Sequence, residues 1–509
     1  MKFYPAKTFL TAALTLTLLT SAHSAAQTVQ RGGTLQLAVD QSPVGLDPHV
    51  ATAFSTFVVT GQVYEGLLDI DASLKIRPLL ASKYTKSADG LRYVFTLRPG
   101  VRFHNGDPLS AQDVVFSMDR VKDPKTASPL ASRLSSVSDI KATGPLEVTF
   151  VLSKPFAPFL SEVATISIVS KKYVEGGGNL QRSAVGTGPF AFKQWVPDTF
   201  LELSKNAAYW VKAQPYLDSL KFNIVPDAST RQIGLQSGAY QFLPNIDASV
   251  AATLKTAPGV QLLRSQDLAY SLMGVNVSRK PFNDPRVREA LNYAINRPEL
   301  VQGVYFGDAV PAGPLPPALR TYATPVSNFP CYATSAAKAR DLLKQAGYPN
   351  GVDFSILTFS TIKTVADSAQ VLQAQLAKAG FRARVDVQEF GSFVQNWRNS
   401  NFDAFVSLNG GSVDPDGHLY RGLISNGSTN VFKFADPVVD KLLEEGRNAT
   451  STGSRVRTYA QLQKSLACRG PMQFLAYGTL FSAARSNVKG FTPNPTRSLS
   501  TLKTTWLDR

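Results

Sequence analysis

The sequence predicts an α/β protein of two lobes, on three observations. The chain has 509 residues with 44% hydrophobic content, its first half holds half-buried strands separated by long connections, and its second half alternates helices with strands. A chain of this size divides its apolar residues between more than one core. Disorder as the dominant state is excluded. Beyond the N-terminus no apolar run approaches the roughly 20 residues needed to cross a bilayer, which excludes an integral membrane protein. Lysine and arginine total 53 against 37 acids, a formal charge of +16. The basic residues are scattered as doublets such as Lys171-Lys172 and Arg286/Arg288, which is a solvated surface rather than the basic stripe of a nucleic-acid binder.

Taken in order, the first segment reads as an export signal. Lys2 and Lys7 precede the apolar run Phe9 to Leu19, and Ser24-Ala25-Ala26 supplies small residues for cleavage before Gln27. Residues 1–26 are therefore expected to be removed. No cysteine stands at the cleavage point to carry a lipid, so a soluble exported protein is expected. Leu35, Leu37 and Val39 alternate after Gly32-Gly33 as a first strand. Tyr93, Phe95 and Leu97 alternate likewise, as do Leu146, Val148, Phe150 and Leu152. Between these runs, Ser110 with Asp113 opens a helix through Val114, Val115 and Met118.

The character changes after Ser265 to Asn276, the expected crossing into the second lobe. Asp284-Pro285 starts a helix with Val287, Ala290, Leu291, Ala294 and Ile295 on one face. Ala336, Ala339, Leu343 and Ala346 form a second stripe ending at Gly347. Val365, Ala369, Leu372, Leu376 and Ala379 form a third ending at Gly380. Strand-like runs follow each, at Phe354 and Ile356 and at Ala383, Val385 and Val387. The alternation predicts a lobe with its own sheet, and a return crossing is expected near Leu480 to Asn487. Pro311 to Pro317 reads as a rigid surface connection.

Cys331 and Cys468 are the only cysteines. They are either a disulfide or two separate buried thiols, and export favours the bridge. The four histidines, His23, His49, His104 and His418, show no paired ligand spacing, so no metal or other cofactor is expected. Gly186-Thr187-Gly188-Pro189 lacks the lysine and hydroxyl of a phosphate loop and reads as a turn. His104-Asn105-Gly106-Asp107-Pro108 and Asp89-Gly90 are turn chemistry as well.

An ordered series of motifs then carries a family resemblance. It runs from Gly32-Gly33-Thr34-Leu35 through Leu46-Asp47-Pro48-His49 and Val63-Tyr64-Glu65-Gly66-Leu67-Leu68. It continues with Tyr93-Val94-Phe95-Thr96-Leu97-Arg98-Pro99-Gly100-Val101-Arg102-Phe103-His104-Asn105-Gly106, Gly186-Thr187-Gly188-Pro189-Phe190, Asn206 with Tyr209-Trp210, and Pro281 to Asn292. Over almost its full mature length the chain resembles the peptide- and nickel-type extracellular solute-binding proteins of ABC importers, family 5. The resemblance implies a two-lobe clamp of the type II, cluster C-like kind, closing on a ligand at the hinge. It implies an N-terminal lobe over 27–270 with a subdomain inserted at about 71–194, a C-terminal α/β lobe over 271–484, and a tail over 485–509 returning to the first lobe. It also implies no catalysis, a monomer, a small-molecule solute and a permease in the inner membrane as partners, and a periplasmic or extracytoplasmic location.

In peptide-binding members, a segment before an Asp-Pro step supplies a tryptophan and then an aspartate that pairs with the peptide's α-ammonium group. Anchored on Asp414-Pro415, those positions are Leu408 and Gly411 here. Both handles are missing. A buried ammonium without a counter-ion costs on the order of several kcal/mol, so a neutral, N-blocked or sugar-containing ligand is expected over an ordinary free peptide. An aspartate at position 411 is expected to restore a carboxylate to the cleft. The candidate ligand contacts are Asn409, Gly410, Gly411 and Ser412 from the second lobe, and Asp40, Gln41, Ser42 and Phe54 from the loop after the first strand. Asp414 and Asp416 are expected to serve the loop or a helix N-terminus. The alternatives are a secreted hydrolase, for which no G-x-S-x-G or H-E-x-x-H motif is present, and a clamp-fold chaperone or signalling receptor.

Overall fold

The computed structural model describes Met1 and residues 28–509, so the expected export signal lies outside the described residues apart from its first. The expected first strand forms at Thr34–Val39, and the later runs at Arg92–Leu97, Glu147–Leu152, Val352–Phe359 and Phe381–Gln388. The helix after Ser110 spans Ala111–Lys122, where the Asp113 carboxylate reaches back to accept the Ser110 amide at 2.9 Å. Asp284 accepts the Arg286 amide at the start of Pro285–Ala294. The next two helices, Ala336–Gln345 and Lys363–Ala377, end before Gly347 and Gly380, both at positive φ, which spares the chain a strained side chain there.

One eleven-stranded sheet runs through both lobes. Its centre is an antiparallel pair of long strands, Val260–Val275 and Met472–Arg485. On one side of their midpoint, residues 481–484 pair with Phe242–Ile246, which lies beside the parallel strands Thr34–Val39 and Ser219–Ile224. On the other side, Tyr270–Val275 pairs with Ala404–Asn409, which continues into the parallel strands Val352–Phe359 and Phe381–Gln388. Between these halves the register slips. Gln266 faces Thr479 while Tyr270 faces Tyr477, so Asp267, Leu268 and Ala269 bulge over Gly478. The Gln266 amide group donates to the carbonyls of Tyr477 and Gly478 at 3.2 and 3.0 Å, which occupies acceptors at the slip.

The cores divide at the same place. One cluster extends from Tyr270 to Tyr477, and another joins Leu35, Leu37, Phe222 and Phe242 to Ala484 and Leu502. The register slip on the second long strand lies at Gly478, a few residues before Leu480 to Asn487, where the return crossing is expected. Phe474 to Phe481 is apolar on both sides of the hinge, so composition holds no break there. A four-stranded antiparallel sheet, Ala81–Lys86, Arg92–Leu97, Glu147–Leu152 and Val137–Gly144 in spatial order, has its own core from Leu67 to Ile168. Phe190–Val196 belongs to the large sheet, so residues at the end of the expected 71–194 insertion lie in the first lobe proper. The subdomain built on this sheet touches the second lobe, where the Ala157 amide donates to the Arg447 carbonyl and Lys86 Nζ to that of Thr450, each at 2.8 Å.

Cys331 and Cys468 are joined by a disulfide, with Cα atoms 5.7 Å apart. It fastens the irregular segment after Pro311 to the helix Thr452–Arg469. Because it closes a sequence separation of 137 residues, replacing both cysteines with serine is expected to lower stability by about 2–5 kcal/mol. Alkylation of the exported, denatured protein followed by intact mass should find no free thiol before reduction. Two alkylated cysteines in the unreduced sample would refute the bridge.

Candidate functional site

The register of the central pair decides where a ligand can sit. Within Phe242–Ile246, Ile246 faces Phe481 near the hinge and Phe242 faces Ala484 away from it. Within Ala404–Asn409, Asn409 faces Tyr270 at the hinge and Ala404 faces Val275 away from it. The parallel strands of both lobes thus point their C-terminal ends at the hinge from opposite sides. Ligands of open α/β sheets bind beyond such ends.

The sequence-predicted residues divide between these two edges. Asp40, Gln41 and Ser42 follow Thr34–Val39 directly; Asp40 and Gln41 are exposed, and Ser42 is half-buried and accepts the Trp195 indole N–H at 3.3 Å. Phe54 is exposed at the start of the helix Phe54–Val63. Across the hinge, Asn409 and Gly410 are exposed, and the Asn409 amide donates to the Tyr270 hydroxyl at 2.8 Å. Ser412 is held by His418, whose Nε2–H donates to the Ser412 carbonyl at 2.6 Å. That contact leaves Nδ1 buried without a partner, and burial lowers the pKa from 6.5 to about 4.

Gly411 departs from expectation. A Cβ there would lie 2.2 Å from Leu268 Cβ and 2.3 Å from the Leu268 carbonyl carbon. The loop is packed against the hinge bulge itself, so an aspartate at 411 would collide with backbone before reaching the cleft. Gly410, where an added Cβ would meet no atom within 4 Å, is the open position.

Asp414 and Asp416 serve structure. Asp414 caps Pro415–Leu423 by accepting the Asp416 amide, and it makes a buried two-pronged pair with Arg455 at 2.6 and 2.7 Å. Asp416 pairs with Arg447 at 2.7 and 2.8 Å, and that guanidinium lies 3.0 Å from the centre of the Tyr420 ring. These bidentate pairs fix the helix behind the loop.

Of the exposed apolar residues at these edges, sequence reasoning named Phe54 as a contact and missed the others. In the second lobe one exposed apolar residue stands beyond each parallel strand: Ile362 after Val352–Phe359, Phe390 after Phe381–Gln388, and Leu408 at the end of Ala404–Asn409. The first lobe answers with Val44, Phe54 and Phe57, also exposed. The usable signal was a large apolar residue immediately past a strand, where a turn calls for polar chemistry. A sequence alone does not separate such residues from core.

The motif residues lie elsewhere. Glu65 is buried and accepts from the Thr187 hydroxyl at 2.9 Å, the Tyr209 hydroxyl at 2.7 Å and the Trp210 indole at 2.9 Å; burial raises its pKa. Three motif segments are thus tied to one carboxylate. Asp47 pairs with Arg120, which donates to His49 Nδ1 at 2.9 Å while His49 Nε2–H donates to the Ser167 carbonyl at 2.8 Å. His104 Nε2–H donates to the Gly188 carbonyl at 2.9 Å, which makes the Gly-Thr-Gly-Pro turn a packing element.

Comparison with known proteins agrees with this geometry. Residues 75–430 match the family model for bacterial extracellular solute-binding proteins, family 5 Middle. The glutathione-binding protein GsiB of Escherichia coli O1:K1 / APEC is 31% identical over 479 residues, covering 89% of this chain and 91% of that protein. HbpA2 from Haemophilus parasuis superposes with a TM-score of 0.86 at 28% identity, covering 94% of this chain and 100% of the other. The periplasmic binding protein DppA from Helicobacter pylori, in complex with the peptide STSA, gives 0.75 at 29% identity, covering 94% and 99%.

Two outcomes test the site's construction. Gly411→Ala should cost about 1–3 kcal/mol by overpacking against Leu268, whereas Gly410→Ala should stay within about 0.5 kcal/mol of the wild type; equal effects in denaturant melts would contradict the close approach. The second concerns pH. A histidine whose folded pKa, about 4, lies below its unfolded value of 6.5 stabilises the fold fully above 6.5 and loses that contribution as pH falls toward 4. The stability gap between wild type and His418→Gln should therefore narrow across that window, and a constant gap would show that the ring is not held neutral.

Proposed function

Because the chain belongs to the bacterial extracellular solute-binding proteins of family 5, we propose that it is exported to the periplasm as a soluble monomer. There it captures a small peptide-like or conjugated solute without turnover and presents it to an ABC permease in the inner membrane. The observation that carries this reading is the pair of facing strand edges across a bulged hinge. Each edge offers exposed apolar and polar groups, and a ligand that bridges them favours closure. The lobes divide, on this reading, at Gln266–Tyr270 and at Gly478, and Asp40, Gln41, Ser42, Phe54, Asn409, Gly410 and Ser412 contact the ligand, with Gly411 supporting the loop from behind.

The ligand follows from what the loop lacks. With Gly411 and Leu408 in place of an acid and an indole, the ammonium of a linear peptide finds no partner at the loop. A γ-linked peptide such as glutathione carries its ammonium on a side branch, away from the first peptide bond, so it escapes this demand. The relative GsiB is named for binding glutathione, which makes glutathione the first probe. The hydrolase alternative is disfavoured by His49 and His418, buried on backbone carbonyls, and by His104, engaged at Gly188.

The test is calorimetry with glutathione and with trialanine, paired with solution scattering. Glutathione should bind more tightly than trialanine and reduce the radius of gyration. Equal or tighter binding of trialanine would overturn the ligand reading, and an unchanged radius at saturation would overturn the clamp.

A further inference from the structure

We propose that the inserted subdomain latches the second lobe, so that part of the unliganded protein is held closed before any solute arrives. This rests on the solute-binding reading above and deepens it, because it places part of the closing energy outside the ligand's contacts. The latch lies where the hairpin turn Asp89-Gly90 and the connection Pro155-Phe156-Ala157 meet the turn from Arg447 to Thr450, between the helices Pro437–Asn448 and Thr452–Arg469.

Each side of the contact is shaped by its own sequence. Asp89 accepts the Leu91 amide at 3.0 Å, and Gly90 takes φ 72°, the left-handed backbone that a tight hairpin requires. Gly90 is buried although it stands at a hairpin tip: Thr450 and Pro155 cover it, and a Cβ there would lie 3.5 Å from Thr450 Cγ2 and 3.8 Å from Pro155 Cβ. Beside it Lys86 Nζ donates to the Thr450 carbonyl, and the Ala157 amide donates to the Arg447 carbonyl, each at 2.8 Å. Phe156 packs on the small sheet's core, and its ring centre lies 5.6 Å from the Arg447 guanidinium carbon, within reach of a cation–π contact.

A second hairpin reaches across as well. Leu74, in the turn between Leu68–Ile70 and Ile76–Pro78, packs against the second lobe's core at φ 59°, a conformation uncommon for a bulky side chain. Asp71 holds that turn by accepting the Ser73 and Lys75 amides at 2.8 and 3.0 Å. The contacts are few, and they are opposed. Burial raises the pKa of Glu162 in the helix Phe159–Val163, Arg133 acts against that rise, and the carboxylates of Asp414 and Asp416 across the interface add to it. A small polar interface with like charges facing each other opens and closes rather than locking.

None of these groups is among the proposed ligand contacts, so the latch acts with or without a ligand. A contact made only in the closed form raises the closed population and, by the same factor, the affinity for a ligand that needs that form. Arg447 also pairs with Asp416, the Asp416 amide donates to Asp414, and the Asp414 amide donates to Ser412 Oγ at 3.2 Å. The latch therefore bears on the candidate loop through the start of the helix Pro415–Leu423.

The experiment is hydrogen exchange and solution scattering on the unliganded protein, as wild type, Gly90→Asn and Lys86→Met. Asparagine accepts the left-handed backbone of position 90, and its side chain takes the space against Thr450. Lys86→Met keeps the stem and removes the donor. The Ala157 amide is the probe, since it lies outside helix and strand and its acceptor is the Arg447 carbonyl. In Gly90→Asn it should exchange about tenfold faster and the radius of gyration should rise, while Phe95 and Phe150 in the small sheet exchange as in wild type. Lys86→Met should shift Ala157 in the same direction by less. An unchanged Ala157 rate or an unchanged radius in Gly90→Asn overturns the latch. Should Phe95 and Phe150 quicken too, the substitution has loosened the subdomain and Lys86→Met decides: faster exchange confined to Ala157 supports the latch, and any other pattern overturns it. Glutathione is tested separately. It should leave Gly90→Asn about tenfold faster than wild type, and equal dissociation overturns the coupling to the solute. Failure of glutathione to bind wild type strikes the ligand reading alone, and the unliganded measurements still decide the latch.

Discussion

The antiparallel pairing of Val260–Val275 with Met472–Arg485 is the constraint on which the rest depends. Two strands that pass through both lobes make each lobe's sheet a continuation of the other, so the direction of every neighbouring strand is set by hydrogen-bond register. Because Phe242–Ile246 and Ala404–Asn409 are each antiparallel to their central neighbour at opposite halves of the pair, their C-terminal ends converge on the slip. The C-terminal strand edges face each other for this reason. The slip itself supplies compliance, since Asp267, Leu268 and Ala269 lack ladder partners opposite Gly478, and hinges are commonly built from a few such residues that absorb dihedral change.

The strongest sequence motifs turn out to protect the first lobe rather than to touch a ligand. A buried carboxylate is costly unless its lone pairs are met, and Glu65 has three donors from two segments distant in sequence: Thr187, and the adjacent Tyr209 and Trp210. Asn206 adds a hydrogen bond to the Gly188 carbonyl at 2.9 Å, which fastens one donor segment to the next. Removing any member leaves a buried polar group unmet. This explains why residues that look chemically capable, an acid beside hydroxyls and an indole, form a knot between the small sheet and the large one.

What was legible in the sequence was local. Alternation marked Thr34–Val39 and Arg92–Leu97; Ser110, Asp284 and the glycines at 347 and 380 marked helix ends because capping acts within one turn. The cysteine pair was legible as an alternative that the structure resolves into a bridge. The register slip was half legible. On the first strand it coincides with a change in pattern, while on the second it is hidden inside a largely apolar run, Phe474 and Tyr477 on one side and Phe481 and Ala484 on the other. The candidate loop follows the strand Ala404–Asn409, but the packing of Gly411 on Leu268 joins residues far apart in the chain, and no spacing rule reports it. The exposed residues of the second lobe were illegible for a related reason: Phe390 touches Phe359 with ring centres 5.1 Å apart, yet Phe390 is exposed and Phe359 is core.

The loop and the hinge are best understood together. Gly411 lies on Leu268, the middle residue of the bulge, while Asn409 on the same loop holds the Tyr270 hydroxyl just beyond it. Behind the loop, the bidentate pairs of Asp414 with Arg455 and Asp416 with Arg447 anchor the following helix, and the Arg447 carbonyl takes the Ala157 amide from the connection after the small sheet's strand Glu147–Leu152. A ligand that displaces the loop therefore acts on the bulge at one end and on the contact between lobes at the other. With no charge of its own on the stretch from Leu408 to Val413, the loop contributes shape and amide groups rather than a counter-ion.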